Sequence, residues 1–435
     1  MGRLREYTGE TLIIHRPSFG RGAIVLFCLY PFLADPSLIQ AQSAIPQEEE
    51  SVDWPSVISQ LRQEMYQRSG HAQTRQHLAT AYNNYGVSLG EQGQWQLAVQ
   101  QLEEAMHLDE TNPQFALNLS RIHLNQAHEA YLHRQPQEAK RFLESAIRLE
   151  PKLAQAYALL GKIEYETQRL TEAKNAWQRA MDLDPKAPGV AEQLARVTEE
   201  LPLESEFDRL SQAYFDIRYE EDIPHPSGFD IRDALLDARR EVGRDFAHWP
   251  KYKIVVLVYS AQSFRTLRTE LPEWVAGTYD GKIRVSLPGS ELSPQVARRI
   301  VFHEYTHALV HELTQGECPH WLNEGLAEYE GNRQAPQAFE RLKQTHENDS
   351  VIAWEQLDAL FMSQMRDQVE LAYQQAHSVV QYLVQRYGFW RIRRILKELA
   401  SGKRLEEIIP RECHVKIASL EQSWRRWLSQ FLNPV

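Results

Sequence analysis

The pattern of apolar and polar positions predicts a helical first part and a mixed second part of the chain. Between about residues 78 and 187, small and apolar residues recur with the spacing of paired helices. Further on, residues 253–259 form a short β-branched apolar run, which is typical of a buried strand. Residues 274–287 predict two short strands around the turn Asp280-Gly281. From residue 293 the spacing is again helical, so we predict an α+β domain after the helical part.

The helical part contains three units on one grid of positions. The segment Ala146–Pro151 recurs 34 residues later as Ala180–Pro185, and an earlier unit ends at Pro113 after a slightly longer turn. Small residues occupy the positions where two helices would cross closely: Gly86, Ala98 and Ala105, then Ala127, Ala139 and Ala146, then Gly161, Ala173 and Ala180. This pattern resembles tetratricopeptide repeats, in which a proline ends the second helix of each pair.

The resemblance implies an all-α, tetratricopeptide-like repeat domain, which we place at residues 45–200. A helix pair cannot bury its apolar face alone, so at least three pairs stack, with helical segments on either side as caps. The resemblance also implies a concave surface for a protein or peptide partner, whereas a generic helical bundle is the alternative. Pro185, Pro188 and Pro202, with the acidic residues among 199–206, predict the connection to a second domain at residues 201–435.

The first 44 residues predict a signal peptide. Arg16 and Arg21 precede an apolar run at residues 23–34, which is shorter than the roughly 20 residues that span a bilayer. Small residues near position 44 suit cleavage there, and an uncleaved membrane anchor is the alternative. In both cases we predict that most of the protein is periplasmic or secreted. It would contact a membrane only through an uncleaved N-terminal segment.

Composition narrows the functional classes. A hydrophobic fraction of 43% and a charged fraction of 25% are typical of a globular protein. The formal net charge of −11 argues against nucleic-acid binding, which usually needs a basic surface. Of the three cysteines, Cys28 would leave with the signal peptide. Cys318 and Cys413 then either form a disulfide or remain as two thiols.

The chemistry of the second domain is concentrated on one predicted helix, which begins at Ser293-Pro294 and runs towards Gly316. His303 and His307 are four residues apart on it and therefore lie on one face, where both imidazoles can reach one metal ion. Glu304 is offset by one residue, so its carboxylate can hold a water rather than the metal. The residues around this motif are uncharged, as in a helix buried under a cleft.

The third ligand decides the class of zinc site. A metzincin would need a glycine and a histidine where this chain has Val310 and Leu313, so that class is excluded. Glu324 follows His307 by 17 residues and supplies a carboxylate. Two histidines and one carboxylate leave a fourth position open for water, which is the arrangement of a catalytic rather than a structural zinc site.

The segment 321–325 (Trp-Leu-Asn-Glu-Gly) resembles the third-ligand segment of aminopeptidase-N-like and thermolysin-like gluzincins. The second domain as a whole resembles the zincin domains called peptidase-MA-like. The resemblance implies a zinc metallopeptidase of α+β fold, with His303, His307 and Glu324 as metal ligands and Glu304 as the general base. Glu328, four residues after the third ligand, would accept the N–H of a ligating histidine.

Two further roles rest on the same resemblance. Tyr373 matches the tyrosine that supports the oxyanion of the tetrahedral intermediate, with His377 as a weaker candidate and an ordinary amphipathic helix as the alternative. Residues 281–287 are the candidate for the edge strand that pairs with an extended peptide substrate. His311 and His320 are predicted to support the site or to lie at the surface rather than to bind the metal.

Two other functions stay open. In the first, the metallopeptidase domain has lost its activity and the protein is a scaffold that acts through the repeats. In the second, the site hydrolyses something other than peptides, because ligands and fold do not fix the substrate. The sequence also leaves open the cleavage specificity and the choice between endopeptidase and exopeptidase action.

Overall fold

The computed structural model describes residues 52–67, 72–221, 223, 225–269, 275–287, 294–361, 363 and 365–432, with the backbone alone at 225–230. The predicted signal segment and the predicted helix start at Ser293 lie outside the described residues. Within the described ranges, no helix combines the length and apolar character that crossing a membrane requires.

The first part of the described chain is helical. Its helices are α1 (Trp54–Gln67), α2 (Ala72–Glu91), α3 (Trp95–Leu108), α4 (Pro113–Leu132), α5 (Pro136–Leu149), α6 (Ala154–Glu166), α7 (Leu170–Leu183) and α8 (Val190–Glu204). Helix α2 packs against α3, α4 against α5 and α6 against α7, while α1 and α8 flank these pairs. The three predicted repeats and their helical caps are therefore confirmed.

The small residues of the predicted grid lie where the helices cross. All seven alanines of the grid are 0% exposed. A Cβ at Gly86 would lie 2.7 Å from Leu102 Cγ, and one at Gly161 would lie 2.5 Å from Trp177 Cδ1. The helices of these two pairs therefore pack so closely that positions 86 and 161 need glycine. Pro113 is the first residue of α4, a position where a helix does not use the N–H that proline lacks.

A five-stranded sheet follows the repeats. Its strands are β1 (Asp208–Ser211), β2 (Phe215–Tyr219), β3 (Ile254–Ser260), β4 (Gly277–Tyr279) and β5 (Ile283–Leu287). The order is β1-β2-β3-β5-β4, with β2, β3 and β5 parallel and the two outer strands antiparallel to their neighbours. Strand β3 and the β4–β5 hairpin confirm the predicted strands, and β1 and β2 were not predicted.

The predicted substrate-binding edge strand is wrong. Residues 281–287 contain β5, which pairs with β3 on one side and with β4 on the other. The turn at Asp280-Gly281 folds β4 back onto the outer side of β5, so β4 is the edge strand instead.

The remaining elements build the second part around this sheet. Helix α9 (His225–Phe246) connects β2 to β3, and α10 (Ala261–Leu267) follows β3. After β5 come α11 (Pro294–Thr314), α12 (His320–Asn332), α13 (Glu340–Glu347), a 3₁₀ turn (Trp354–Gln356), α14 (Leu357–Phe361), α15 (Arg366–Tyr387), α16 (Phe389–Leu399), α17 (Leu405–Cys413) and α18 (Ile417–Leu432). Helices α9 and α11 share the main core with one face of the sheet, whereas α10 packs on the other face. This is the predicted α+β architecture.

Two acidic residues of the predicted connection are buried in a helix. Glu200 and Glu204 belong to α8, which continues through Pro202, and each is 1% exposed. They are buried because they face cationic side chains of the sheet. The predicted boundary near residue 200 falls inside this helix.

Both cysteines of the described part are free thiols, Cys318 half-buried and Cys413 buried. Burial raises the pKa of the Cys413 thiol to about 11. Of the two states that the sequence left open, the structure therefore contains the unpaired one.

Candidate metal and catalytic centre

Helix α11 carries the motif and is the central helix of the second part. It packs against α9, α12, β4 and β5, and every residue from Ile300 to Val310 is buried. The predicted uncharged surroundings of the motif thus correspond to a helix covered on all sides. The helix ends two residues before Gly316, whose φ of +88° suits glycine.

The two histidines of α11 and the glutamate of α12 come together as predicted. His303 Nε2 lies 3.5 Å from Glu324 Oε2, and His307 Nε2 lies 3.6 Å from the same oxygen. One ligand atom from each of the three residues falls within 4.8 Å of the others. All three side chains are 0% exposed. Within the described ranges, no other group of three such residues is arranged to hold a metal ion.

The hydrogen bonding of these groups fits a metal. The Nε2 atoms of His303 and His307 and both carboxylate oxygens of Glu324 have no hydrogen-bond partner among the described residues. Buried polar atoms are seldom left unpaired, because each lost hydrogen bond costs about 1–3 kcal/mol. Two imidazole nitrogens and a carboxylate oxygen are the ligands that zinc takes in catalytic sites. The donor set therefore fits zinc.

Neighbouring side chains orient both histidines. His303 Nδ1 lies 3.2 Å from Glu328 Oε1, and His307 Nδ1 lies 3.0 Å from Asn323 Oδ1. The amide oxygen of Asn323 accepts the Nδ1 proton of His307, and the carboxylate of Glu328 lies within ion-pair distance of His303 Nδ1. These neighbours orient both rings with Nε2 towards the centre. Glu328 thus lies where the resemblance predicts it. Its other oxygen accepts a hydrogen bond of 2.6 Å from buried Arg299.

Sequence reasoning missed two of these supporting residues. Asn323 lies inside the motif that suggested the third ligand, and Arg299 is a charged residue one turn before His303. The buried position of Arg299 is the signal that would have suggested a partner, because arginine is rarely buried unpaired.

Burial and contacts make the two histidines electrostatically different. For His303, burial favours the neutral ring, but the nearby carboxyl groups of Glu324 and Glu328 outweigh it and raise its pKa to about 9. Burial lowers the pKa of His307 to about 4. Burial also raises the pKa of Glu304 well above its usual range. The two imidazoles therefore differ in their affinity for a proton, because His303 lies next to two carboxyl groups.

Glu304 lies beside the edge strand of the sheet. It is 0% exposed, and a Cβ at Gly277 in β4 would lie 2.6 Å from its Oε1. Gly277 therefore allows the backbone of β4 to approach the carboxylate. Gly325 has a similar role on the opposite side, because a Cβ there would lie 2.6 Å from the carbonyl oxygen of Ala376 in α15. The two glycines bring β4 and α15 close to the motif.

The other predicted site residues lie around this centre. Tyr373 and His377 on α15 line a cavity of about 30 Å³ together with Arg299 and Glu328. His311 is half-buried with its ring 5.9 Å from that of Tyr279. His320 is nearer than expected, with Nε2 at 3.8 Å from Glu324 Oε1.

Comparison with known proteins agrees with this geometry. Residues 258–430 match the model of the Peptidase MA superfamily. Residues 154–186 match a tetratricopeptide repeat model. Residues 258–430 are therefore similar to peptidase MA domains, and a segment similar to a tetratricopeptide repeat precedes them, as the two sequence resemblances imply. The matched domain begins within β3 and includes the hairpin, α11, α12 and α15.

None of the curated proteins searched matches the chain. Among solved structures, the first tetratricopeptide domain of Spaghetti (RPAP3) bound to an HSP90 peptide is 21% identical, with a TM-score of 0.22. The match covers 28% of this chain and 93% of that one. A TM-score this low carries no argument about this chain.

Proposed function

We propose that residues 201–435 form a zinc-dependent metallopeptidase of the gluzincin type. The observation that carries the proposal is the convergence of His303, His307 and Glu324 on one buried point with their free Nε2 and carboxylate atoms. The match to the Peptidase MA superfamily supports a peptidase-like domain in general. The gluzincin assignment adds that the third ligand is Glu324.

The proposed chemistry divides among the residues of the chain. A zinc ion held by His303, His307 and Glu324 would polarise the scissile carbonyl and lower the pKa of a bound water. Glu304 accepts the proton of the attacking water and returns it to the leaving amine. A raised pKa suits that double role, because the group must both gain and lose the proton near neutral pH. The Tyr373 hydroxyl donates a hydrogen bond to the oxyanion of the tetrahedral intermediate.

Strand β4 is the proposed binding site for the substrate backbone. It is the edge strand beside Glu304, and an extended peptide can add to a free strand edge through main-chain hydrogen bonds. This role replaces the one predicted for residues 281–287. The repeats would bind a protein or peptide partner. The N-terminal segment favours a periplasmic or secreted location, with a membrane anchor if that segment stays uncleaved.

The test is the metal content of the purified chain beside the His307→Ala and Glu324→Ala variants. We expect about one zinc per wild-type chain and loss of that zinc in both variants. The His311→Ala variant is the matched control, because His311 is on the same helix one turn beyond His307 and outside the ligand group. Glu304→Gln should keep zinc and lose peptide hydrolysis.

Two outcomes would contradict the proposal. A wild-type chain that binds no zinc after reconstitution at neutral pH would favour a scaffold that acts through the repeats. Equal peptide hydrolysis by wild type and Glu304→Gln would exclude Glu304 as the base. Hydrolysis of a non-peptide amide but of no peptide would change the proposed substrate class. It would still agree with the proposed metal centre.

A further inference from the structure

The β4–β5 hairpin reaches from the candidate site to the repeats. At one end, the backbone of β4 at Gly277 is in close contact with Glu304. At the other end, a Cβ at Gly281 would lie 2.9 Å from Cγ of Glu166 in α6. Only a short strand separates the two contacts, so a shift of the hairpin turn is transmitted to the strand beside Glu304.

Two of the repeats keep a long polar side chain where the backbone favours glycine. Gly93, Arg134 and Gln168 each lie two positions before the second helix of a pair, with φ angles of 71°, 56° and 58°. A left-handed backbone is strained for any residue that has a Cβ. The first repeat has glycine at this position, whereas the second and third keep the strained residues. Strain that persists in this way points to a role for the side chains.

Both strained side chains bind the hairpin. The Arg134 guanidinium donates a hydrogen bond to the Tyr279 hydroxyl at 3.4 Å and pairs with Glu166 at 3.3 Å. The Gln168 amide oxygen accepts a hydrogen bond of 2.8 Å from Nζ of Lys282, which is 0% exposed. Tyr279 and Lys282 are the residues on either side of the Asp280-Gly281 turn. The second and third repeats therefore hold the two sides of that turn.

Buried charges behind the turn extend the same contact. Arg284 of β5 donates to Glu200 of α8 at 3.2 Å and to the Tyr165 hydroxyl at 2.8 Å. Arg196 of α8 lies 3.6 Å from Asp280 at the turn itself. The hairpin is thus bound by side chains from three successive layers of the repeats.

We propose that Arg134 and Gln168 are positioning residues, which hold the β4–β5 hairpin against the repeats and so fix β4 beside Glu304. The inference rests on the proposed function in one respect, the binding of the substrate backbone by β4. A consequence is that this face of the second and third repeats is filled by the hairpin of the same chain. A separate partner would have to use the rest of the repeat surface or displace the hairpin.

The test is the double variant Arg134→Gly with Gln168→Gly in the full chain. Glycine removes both contacts and relieves the left-handed backbone, and a cooperative urea transition checks that the variant still folds. Amide hydrogen exchange in residues 275–287, followed by mass spectrometry, should become at least about tenfold faster, with exchange in α15 unchanged. On a peptide substrate, kcat/KM should fall at least about tenfold while the zinc content stays the same.

The control is Asp349→Gly, which relieves another left-handed residue (φ 53°) that is exposed and outside the hairpin contact. The single variant Arg134→Lys keeps a cation at position 134 and the native Gln168. Its hairpin should therefore exchange more slowly than the hairpin of the double variant. Hairpin exchange equal to that of the control would overturn the proposal. Absence of hydrolysis by the wild-type chain, with fast hairpin exchange in the double variant alone, would count against the proposed function and leave the holding role intact.

Discussion

Two buried clusters of charged residues occupy the second part of the protein, and they are satisfied in opposite ways. In the cluster between the sheet and α8, Glu200 accepts hydrogen bonds from Arg268 at 2.7 Å, Arg284 at 3.2 Å and the Tyr165 hydroxyl at 2.9 Å. In the cluster on α11 and α12, Glu324 has no hydrogen-bond donor to either oxygen among the described residues. Both glutamates are almost completely buried.

The difference separates a structural role from a binding role. Burying a charge is unfavourable unless partners compensate it, and the cluster around Glu200 supplies those partners from the chain itself. The cluster around Glu324 leaves lone pairs that converge on one point, and the proposed metal ion would compensate them. Burial alone does not distinguish the two clusters, whereas the count of paired donors and acceptors does.

The largest expected effect comes from disrupting the cluster around Glu200, whose charges are compensated within the chain. Glu200→Gln removes the charge that faces Arg268 and Arg284 and leaves both cations buried. We expect the free energy of unfolding to fall by about 3–5 kcal/mol, measured by urea denaturation. Glu199→Gln, the exposed neighbour on the same helix, should change it by less than about 0.5 kcal/mol. A loss below about 1 kcal/mol for Glu200→Gln would contradict the structural role of the cluster.

The second prediction concerns the residue that supports His303, one of the three proposed metal ligands. Glu328→Gln removes the charge that orients His303, so the affinity for zinc should fall by about 10–100-fold in a competition titration. Glu330→Gln is the matched control, because Glu330 is on the same helix but pairs with Arg333 at 2.8 Å. Equal weakening by the two variants would indicate a general effect of charge on α12 rather than support of the ligand.

The sequence predicts the convergence of His303, His307 and Glu324 because the helix period and one local segment determine it. His303 and His307 share a face at i and i+4, and the segment around Glu324 is local. The pairing of Glu200 with Arg284 joins residues 84 positions apart, so no local pattern indicates it, and the acidic stretch predicts only a connection between two domains. The edge strand was wrong for a similar reason, because the order of β4 and β5 in the sheet depends on which of them pairs with β3.

The third prediction again replaces a buried glutamate by glutamine, but here the free energy of unfolding should rise. Glu304 is buried without a hydrogen-bond partner for either oxygen among the described residues. In the zinc-free chain, Glu304→Gln replaces a buried carboxyl group by an uncharged group of the same shape, so we expect the free energy of unfolding to rise by about 1 kcal/mol. Urea denaturation in the presence of a chelator measures it. A decrease like that of Glu200→Gln would mean that Glu304 has a compensating partner.

The smallest expected effect is a pH dependence of the free energy of unfolding, which arises from Lys282 in the cluster around Glu200. Burial, with a further contribution from Arg284, lowers the pKa of Lys282 to about 8, against 10.5 for an ordinary lysine. Below pH 8 the folded and unfolded chains both hold the proton, so the cost of burying the charged lysine is constant. Between pH 8 and about 10 only the unfolded chain holds it, so the contribution of Lys282 to stability rises with pH.

We therefore expect the wild-type chain to gain about 1 kcal/mol in unfolding free energy relative to Lys282→Met between pH 8.5 and 9.5, measured by urea denaturation. The groups that act on Lys282 include Glu200, Glu204, Asp280, Arg284, Gln168 and Tyr165. Burial raises the pKa of Tyr165 well above its usual range, so the tyrosine does not ionise in this window. Lys253→Met, which removes an exposed lysine bound to Ser211, is the control and should show no such gain. A pH-independent difference would mean that Glu200 and Glu204 keep Lys282 charged throughout, and that the compensation within this cluster is complete.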